Sequence, residues 1–265
     1  MSALFFVKKE GGVLSFSDYG GCEQRNPSTI WMIQRADEIY KWDDFKTIAV
    51  QTDDEYNAVT FQGIETYCSY TKKNTFENLV PDFLFTAWPD ANIIDYTTAI
   101  ISVHEAGLKP APIFKVGWVG QIQTKRERFL EIGKTNPDLF DFFDRKTVPF
   151  TPLTEQVAKY AILVDIEGAG YSARLKLLLW SHRPVLLIDR PDKEFFFEYL
   201  VAWEHYIPVK RDLSDLVEKT KWCMEHCEEA QKIAEAAFVF ASRYLTREAA
   251  CKQWNAVITG TKVEF

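Results

Sequence analysis

The second half of the sequence predicts an α/β fold, in which a parallel sheet carries helices on both faces. Apolar runs with the length of buried strands cover residues 113–119, 160–165 and 184–189. Helix-forming segments lie among them, at residues 124–133 and 172–180, across short connections. Strands that alternate with helices over such short connections indicate parallel pairing.

The first half is irregular and rich in aromatic residues, and its strand-like runs are short. They cover residues 4–7, 47–51 and 83–87, each bounded by polar residues or by Gly and Pro. Toward the other end of the chain, the apolar spacing of one long helix begins near Asp212 and continues through Phe240.

Prolines mark the boundary between the two halves. The Lys-Pro-Ala-Pro segment at residues 109–112 cannot continue a helix, because proline lacks the backbone N–H and clashes with the preceding turn. We therefore predict an N-terminal domain over residues 1–111 and a second domain over residues 112–245. A last helix, over residues 246–265, is expected to return toward the first domain.

Composition argues against several classes of protein. The net charge of -7 over 265 residues disfavours binding to nucleic acid or to an anionic membrane. No apolar run approaches the roughly 20 residues of a membrane span, and the first residues do not resemble a signal peptide. We expect a protein without a transmembrane segment, in the cytoplasm of a bacterial or virus-infected cell. Five cysteines without close pairs and four scattered histidines predict neither disulfides nor a metal site.

The clearest functional signal follows the strand predicted over residues 160–165. Gly168 and Gly170 lie in a tight turn, and a leucine-rich helix is predicted to begin at Ser172. Glycines let the backbone approach a ligand closely, and the free N–H groups of a helix start attract anions. The Ser172 hydroxyl and the Arg174 guanidinium add donors for phosphate oxygens. On spacing alone, an anion site and a turn with an incidental arginine are equally supported.

A second basic turn follows the strand predicted over residues 113–119. Gly120 and Gln121 open a polar turn, and Lys125, Arg126 and Arg128 come at the start of the next helix. If both turns lie at the carboxyl ends of neighbouring parallel strands, they face the same crevice. The alternative is a solvated surface face, which is the usual place of a run of Lys and Arg.

Three ordered blocks of the sequence resemble glycosyltransferase family 90. They are residues 163–176, residues 184–187, and the segment Trp-Glu-His-Tyr-Ile-Pro-Val at residues 203–209 with residues 212–216 after it. The resemblance implies a GT-B arrangement, with two Rossmann-like domains and the active site in the cleft between them. It implies inverting, metal-independent transfer of xylose or glucose from a UDP-sugar to a hydroxyl of a glycan or lipopolysaccharide-type acceptor, without a cofactor.

The same resemblance implies which residues hold the UDP-sugar donor. At the first turn they are Gly120 and Gln121, with the family's arginine at either Arg126 or Arg128. At the second turn the donor's diphosphate lies against Gly170, Tyr171, Ser172, Ala173 and Arg174. His205 either lies near the donor or packs the strand that follows it, and the sequence supports both equally.

The resemblance also implies one catalytic base, an aspartate that follows a strand of the first half. Asp90 is the prediction, and Asp82 and Asp95 are the alternatives. The reaction needs one carboxylate to accept the proton of the acceptor hydroxyl while that oxygen attacks the anomeric carbon. A second carboxylate is not needed, because the arginine-lined site stabilises UDP as it leaves as an anion.

Two other functions compete with this prediction. A catalytically inactive glycan- or nucleotide-binding module would keep the same fold and the same basic turns. A phosphotransferase is disfavoured, because the sequence lacks a GxxxxGK[ST] phosphate loop and clustered Asp or Asn residues for magnesium.

Overall fold

The computed structural model describes residues 3–18, 25–55, 63–72, 76, 78–122 and 126–263. The chain divides into two compact units, each assembled from separate segments. Unit 1 comprises Met1–Thr97, Pro191–Tyr199 and Arg243–Phe265, and unit 2 comprises Thr98–Arg190 and Leu200–Ser242. The first boundary therefore lies before the predicted one at residue 111. Unit 1 also contains a short segment, Pro191–Tyr199, that the sequence pattern assigns to the second domain.

Strands and helices alternate along most of the described chain. The strands are β1 (Ala3–Glu10), β2 (Val13–Asp18), β3 (Phe45–Glu55), β4 (Thr66–Thr71), β5 (Ile113–Gly120), β6 (Phe140–Asp144), β7 (Tyr160–Asp165), β8 (Val185–Ile188), β9 (Lys193–Glu194) and β10 (Ile207–Val209). The helices are α1 (Asn26–Tyr40), α2 (Tyr96–Gly107), α3 (Glu127–Thr135), α4 (Leu153–Lys159), α5 (Leu175–Leu178), α6 (Leu216–Glu225), α7 (Cys227–Tyr244) and α8 (Arg247–Thr259). None of these helices combines the length and the apolar character that a membrane crossing requires.

Unit 1 is built on a mixed sheet with the strand order β2-β1-β3-β4-β9. β1 runs antiparallel to β2 and β3, β4 runs antiparallel to β9, and β3 pairs with β4 in parallel. The tight β1–β2 hairpin turns on Gly11 and Gly12, whose positive φ angles suit a two-residue hairpin loop. A Rossmann-like sheet is mostly parallel, so the described strands of unit 1 depart from the pattern expected for the N-terminal domain.

Residues 83–87 do not form the strand that their apolar run predicts. They contain a single 3₁₀ turn, Phe83–Phe85, and the Asp82 carboxylate accepts a hydrogen bond from the Leu84 N–H at 3.2 Å. Phe83, Leu84 and Phe85 are all buried. A short run that is buried on every side carries no periodicity that separates a strand from a helical turn, and the Asp82 cap decides for the turn.

Unit 2 is built on a parallel sheet with the strand order β10-β8-β7-β5-β6. Every neighbouring pair in this sheet is parallel. Counted along the chain, this is the order 2-1-3-4-5 of a flavodoxin-like, doubly wound sheet. The α/β prediction with a parallel sheet is therefore confirmed for this unit, and the direction of winding reverses between β5 and β7.

The central strand β7 reads Tyr-Ala-Ile-Leu-Val-Asp, and all but one of its side chains are buried. A near-continuous apolar strand is typical of a parallel sheet that is covered on both faces. Its side chains join one core cluster with the neighbouring strands and with α6, through residues that include Val116, Ile162, Leu186, Ile207 and Leu216.

The helix predicted over residues 172–180 is a single turn, α5. Its four side chains, Lys176 among them, are all buried, so this segment has no solvent-exposed face. Ser172, expected in the first turn, instead donates its hydroxyl to the Asp165 carboxylate at 2.8 Å. A helix of one turn has almost no aligned dipole, so any anion bound here is attracted by arginine side chains rather than by a helix end.

The long helix predicted from residue 212 to residue 240 is two helices, α6 and α7, which are separated at His226. The backbone N–H and the ring Nδ1 of His226 both contact the Trp222 carbonyl oxygen, at 2.9 and 3.0 Å. This side-chain contact with a carbonyl of the last turn accompanies the end of α6. The apolar spacing continues across the break and therefore does not reveal it.

The C-terminal end of α2 lies against the turn that precedes β8. An ideal Cβ placed on Gly107 would be 1.7 Å from the Ser181 carbonyl oxygen. In the same turn His182 has a φ of 52°. Its Nε2 lies 2.8 Å from Nδ1 of His104, and its Nδ1 lies 2.9 Å from Oε2 of Glu235. These contacts hold the turn so close to α2 that only glycine fits at position 107.

Gly107→Ala is expected to destabilise the protein by about 1–3 kcal/mol or more, because backbone must move to admit the methyl group. Urea unfolding measures the change. Gly168→Ala is the matched control, since its Cβ would be 3.4 Å from the Tyr171 carbonyl oxygen, an ordinary contact. That control should change the free energy of unfolding by less than about 0.5 kcal/mol. Equal effects of the two substitutions would contradict the described approach of α2.

Candidate active site

Two loops meet where the winding of the unit 2 sheet reverses, at the carboxyl ends of β5 and β7. The first loop leads from Gly120 to Arg126, and the second leads from Ile166 to Arg174. Ligands of doubly wound sheets bind in the crevice outside this point. The two basic turns predicted from the sequence are therefore neighbours, whereas Lys125 lies outside the described residues.

Arg126 joins the two loops directly. Its Nε and Nη2 donate to the carbonyl oxygens of Glu167 and Ile166, at 3.0 and 3.1 Å. Its Nη1 donates to the Gln121 carbonyl at 2.9 Å, and its guanidinium carbon lies 5.3 Å from the centre of the Trp118 ring. Burial, together with repulsion by Arg174, lowers the pKa of Arg126 to about 10. Arg126 is thus still a cation at neutral pH, although its surroundings disfavour the charged form.

Arg174 spans the ends of the same two strands. Its Nη1 donates to the Val119 carbonyl at 3.2 Å, and its Nη2 donates to the Val164 carbonyl at 3.3 Å. Burial lowers the pKa of this guanidinium, and the Asp165 carboxylate, 3.7 Å from Nε, opposes that effect. Arg174 is therefore a second cation at the point where the winding of the sheet reverses, and the Asp165 carboxylate lies beside it.

Asp165, the last residue of β7, is fully buried and organises the residues around it. Its Oδ1 accepts from the Ser172 hydroxyl at 2.8 Å, and its Oδ2 accepts from Nη2 of Arg190 at 2.6 Å. Arg190, 2% exposed, is a functional candidate that the sequence analysis missed. The sequence shows an arginine just after the apolar run at residues 184–189, but only the pairing of β8 with β7 places it beside the buried aspartate.

Positive charge exceeds negative charge around the end of β7. Arg211, on the β10 side, lies with its Nη2 3.5 Å from Oε1 of Glu167. The charged groups described here are Arg126, Arg174, Arg190 and Arg211, against Asp165 and Glu167. Asp189, whose charge acts on Tyr206 together with that of Arg190, is a third negative group, and four positive groups against three still favour an anionic ligand.

The sequence of the chain matches that of a known protein family. A family model described as glycosyl transferase family 90 matches residues 39–260. The chain belongs to this family. The resemblance inferred from residues 163–176 and 203–209 is therefore confirmed.

The relatives of this family 90 chain are longer proteins. Protein O-glucosyltransferase 3 of Homo sapiens is 34% identical over 128 residues, which is 44% of this chain and 25% of that protein. Protein O-glucosyltransferase 2 of Danio rerio is 33% identical over 155 residues, 54% of this chain and 31% of that protein. A protein of invertebrate iridescent virus 3, 035R, is 26% identical over 192 residues, 71% of this chain and 16% of that protein. The chain thus spans at most 31% of the length of these relatives.

Solved structures also show a likeness. The Anabaena protein HepE in complex with UDP-glucose aligns with a TM-score of 0.41 and 13% identity, over 60% of this chain and 44% of that chain.

Arg126 and Arg128, the two alternatives for the family's arginine, lie in different surroundings. Arg126 points into the junction of the two loops, whereas the side chain of Arg128 is exposed on α3. Hydrogen bonds from Ser214 lower the pKa of Asp212, and the charge of Arg128 adds to that effect, which places Arg128 on the side of Asp212. Of the two, only Arg126 contacts the β7 loop in the described structure.

The remaining residues of the second turn serve mainly to build it. Ser172 uses its hydroxyl as a donor to Asp165, and Tyr171 and Ala173 are buried. Gly170 is partly exposed. Gly168 has room for a Cβ and no left-handed backbone, so the fold itself does not demand glycine at that position.

His205 makes the contacts that are expected if it packs the strand that follows it. Its Nδ1 accepts a hydrogen bond from the Val201 N–H at 3.0 Å, and its ring lies 4.8 Å from that of Phe240. Burial lowers the pKa of His205, although the charge of Glu204 opposes the shift. A neutral ring with the proton on Nε2 fits these surroundings, and it fixes the loop before β10.

The three candidate bases all lie in unit 1, in different settings. Asp90 is exposed on a 3₁₀ turn, within a loop closed by mutual backbone hydrogen bonds between Trp88 and Ile93 at 2.7 and 3.0 Å. Asp82 is buried as a cap, and Asp95 forms an ion pair with Arg247 at 2.7 Å. Asp90 is thus the candidate that a substrate reaches most easily. Over the described residues, no group of three or more His, Cys, Asp or Glu side chains is arranged to hold a metal ion.

Asp165→Asn is expected to destabilise the protein by about 3–5 kcal/mol, because it leaves the buried Arg190 without its counter-charge. Urea unfolding at pH 7 measures this loss. Glu10→Gln is the control, since it removes a carboxylate from an exposed pair with Lys8 and should change stability by less than about 1 kcal/mol. A loss as small as that of the control would show that Asp165 does not neutralise the arginines.

Proposed function

We propose that this chain is an inverting glycosyltransferase that moves glucose or xylose from a UDP-sugar to a hydroxyl of a glycan or lipopolysaccharide-type acceptor. The observation that carries the proposal is that Arg126 and Arg174 place two positive charges on the two loops that meet between β5 and β7. Membership of glycosyl transferase family 90 supports the reaction class, and the names of two relatives favour glucose.

The donor's diphosphate is proposed to lie against these two arginines. The described contacts of Arg126 use three of the five N–H groups of its guanidinium, so two remain for phosphate oxygens. Burial disfavours the charge of both arginines, and a bound anion offsets that cost. The arginine-lined site therefore holds positive charge that a diphosphate stabilises, with Gly120, Gln121 and Gly170 lining the loops beside it.

The same groups are proposed to stabilise the departing UDP. In a single displacement, the acceptor oxygen bonds to the anomeric carbon while the bond from that carbon to the diphosphate oxygen breaks. Negative charge grows on the leaving diphosphate, where guanidinium groups fixed in place are most effective. We propose that these arginines act in place of a divalent cation, so that transfer persists in EDTA.

Asp90 is proposed to accept the proton of the acceptor hydroxyl. The role needs one exposed carboxylate on the acceptor side, and the closed loop at Trp88 and Ile93 keeps Asp90 in position. We infer a GT-B division of labour, in which unit 2 binds the donor and unit 1 supplies the base.

Arg126→Gln is expected to weaken UDP binding by about 10- to 150-fold, because a charge-assisted hydrogen bond contributes about 1.5–3 kcal/mol. Arg128→Gln, which removes an exposed cation from the same helix end, should leave the affinity within about twofold. Isothermal titration with UDP measures both variants. Equal losses in the two variants would assign the effect to general charge rather than to the junction of the loops.

Asp90→Asn is expected to lower turnover by about 10²- to 10⁴-fold, because it removes the base but leaves the donor site intact. The measurement is UDP release from UDP-glucose and from UDP-xylose, with UDP affinity determined in parallel. Unchanged turnover in the variant would rule out Asp90 as the base. A wild-type protein that binds UDP but hydrolyses neither donor would favour the inactive binding module, and one that binds no UDP would overturn the proposal.

A further inference from the structure

The loop before β10 carries an exposed aromatic surface on unit 2. Trp203 is 44% exposed. The ring of Trp222, on α6, meets it edge-on, with centroids 4.9 Å apart and planes at 79°. The ring of His226 stacks on Trp222 at 5.1 Å. These three rings, Trp203, Trp222 and His226, form what we call the aromatic surface.

Trp203 is held rigidly in an unfavourable backbone conformation. Its φ is 65°, which is rare for a residue with a large side chain. The loop is closed by hydrogen bonds from Trp203 N–H to the Tyr206 carbonyl at 2.8 Å and from His205 N–H to the Val201 carbonyl at 2.9 Å. The bond from Val201 N–H to the His205 ring, at 3.0 Å, completes it.

The fold gains little from placing a tryptophan at this position. Nearly half of the side chain stays in water, so much of its hydrophobic contribution is not realised. The left-handed backbone adds strain that the loop's hydrogen bonds must overcome. A strained backbone that presents a large exposed ring in one orientation is typical of a binding site rather than of a core.

The polar groups beside the rings fit a neutral, hydroxyl-rich ligand. Glu204 and Glu218 have side chains that are 62% and 74% exposed. Nζ of Lys219 lies over the Trp203 ring, 5.3 Å from its centre, and pairs with Oε1 of Glu218 at 3.2 Å. His226 uses its Nδ1 toward the Trp222 carbonyl, which leaves Nε2 as an acceptor. The surface therefore offers both acceptors and a donor around an apolar face.

Other classes of ligand fit less well. The two carboxylates repel anionic lipids and nucleic acids, in keeping with the net charge of -7. A protein partner usually needs about 1,000 Å² of interface around an apolar centre, and here the three charged side chains of Glu204, Glu218 and Lys219 lie among the three rings. A pyranose ring has an apolar C–H face of the size of an indole and hydroxyl groups at its edge.

We propose that the aromatic surface binds a neutral oligosaccharide by stacking one sugar ring on Trp203. Lys219, which lies over the Trp203 ring and is paired with Glu218, donates to a hydroxyl group at the edge of that sugar, and Glu204 accepts from another. Nε2 of His226, whose ring stacks on Trp222, is an acceptor for a neighbouring sugar of the same chain. The aromatic surface lies on the loop before β10 and at the end of α6, whereas Arg126 and Arg174 lie on the loops that follow β5 and β7. It binds sugar whether or not the chain transfers one, and it would hold a glycan chain on the protein.

The test is binding of neutral hexasaccharides to the full chain without nucleotide. The probes are maltohexaose, cellohexaose, xylohexaose, mannohexaose and chitohexaose, titrated by calorimetry or NMR. Wild type should bind at least one of them, and Trp203→Gly should weaken that binding by about tenfold or more through the loss of ring stacking. Glycine accepts a φ of 65° without strain, so this variant is expected to fold. Trp203→Phe, which keeps an aromatic face, should retain most of the affinity.

Trp31→Ala is the matched control, because it removes a tryptophan that is 40% exposed on unit 1 and should not change oligosaccharide binding. The proposal is overturned if wild type binds none of the five glycans, or if Trp203→Gly binds them as wild type does. A change from dimer to monomer in Trp203→Gly, seen by sedimentation, would also overturn it and assign the surface to contact between copies of the chain.

Discussion

The site in unit 2 depends on one buried carboxylate, that of Asp165. It is surrounded by the guanidinium groups of Arg174 and Arg190 and by the Ser172 hydroxyl. Without a negative charge at that position, cations so close together would repel one another and separate the loops that carry them. Asp165 cannot move to relieve this, because β7 is paired on both sides, with β5 and β8. The geometry of the arginine-lined edge therefore follows from the rigidity of the central strand.

Much of unit 2 could be predicted because its signals are local. Apolar runs of strand length, separated by helices, determine a parallel sheet, and glycines and arginines just after two of those strands indicate where a ligand binds. Arg190 could not be found in the same way. Its role requires knowing that β8 pairs with β7, and strand order is a property of the whole sheet. The sequence likewise does not show which of Arg126 and Arg128 directs its side chain into the junction of the two loops.

Unit 1 was harder to predict because its elements depend on distant contacts. β9 is only two residues long and pairs with β4, which lies far from it in the sequence. Phe83, Leu84 and Phe85 are all buried, so hydrophobicity alone does not separate a strand from a turn, and the Asp82 carboxylate caps the turn that forms. In unit 2, the prediction of one long helix was wrong for a local reason, because the break at His226 interrupts the backbone but not the apolar spacing.

The first residues of the chain belong to a unit that its last residues complete. α8 packs on α1, with Trp254 fully buried, and Asn255 accepts a hydrogen bond from the Trp42 ring at 2.9 Å. A chain leaving the ribosome therefore exposes these N-terminal surfaces until residue 259 has been made, whereas all of unit 2 precedes residue 243. During synthesis, every residue of unit 2 is therefore made while unit 1 still lacks the helix that packs on α1.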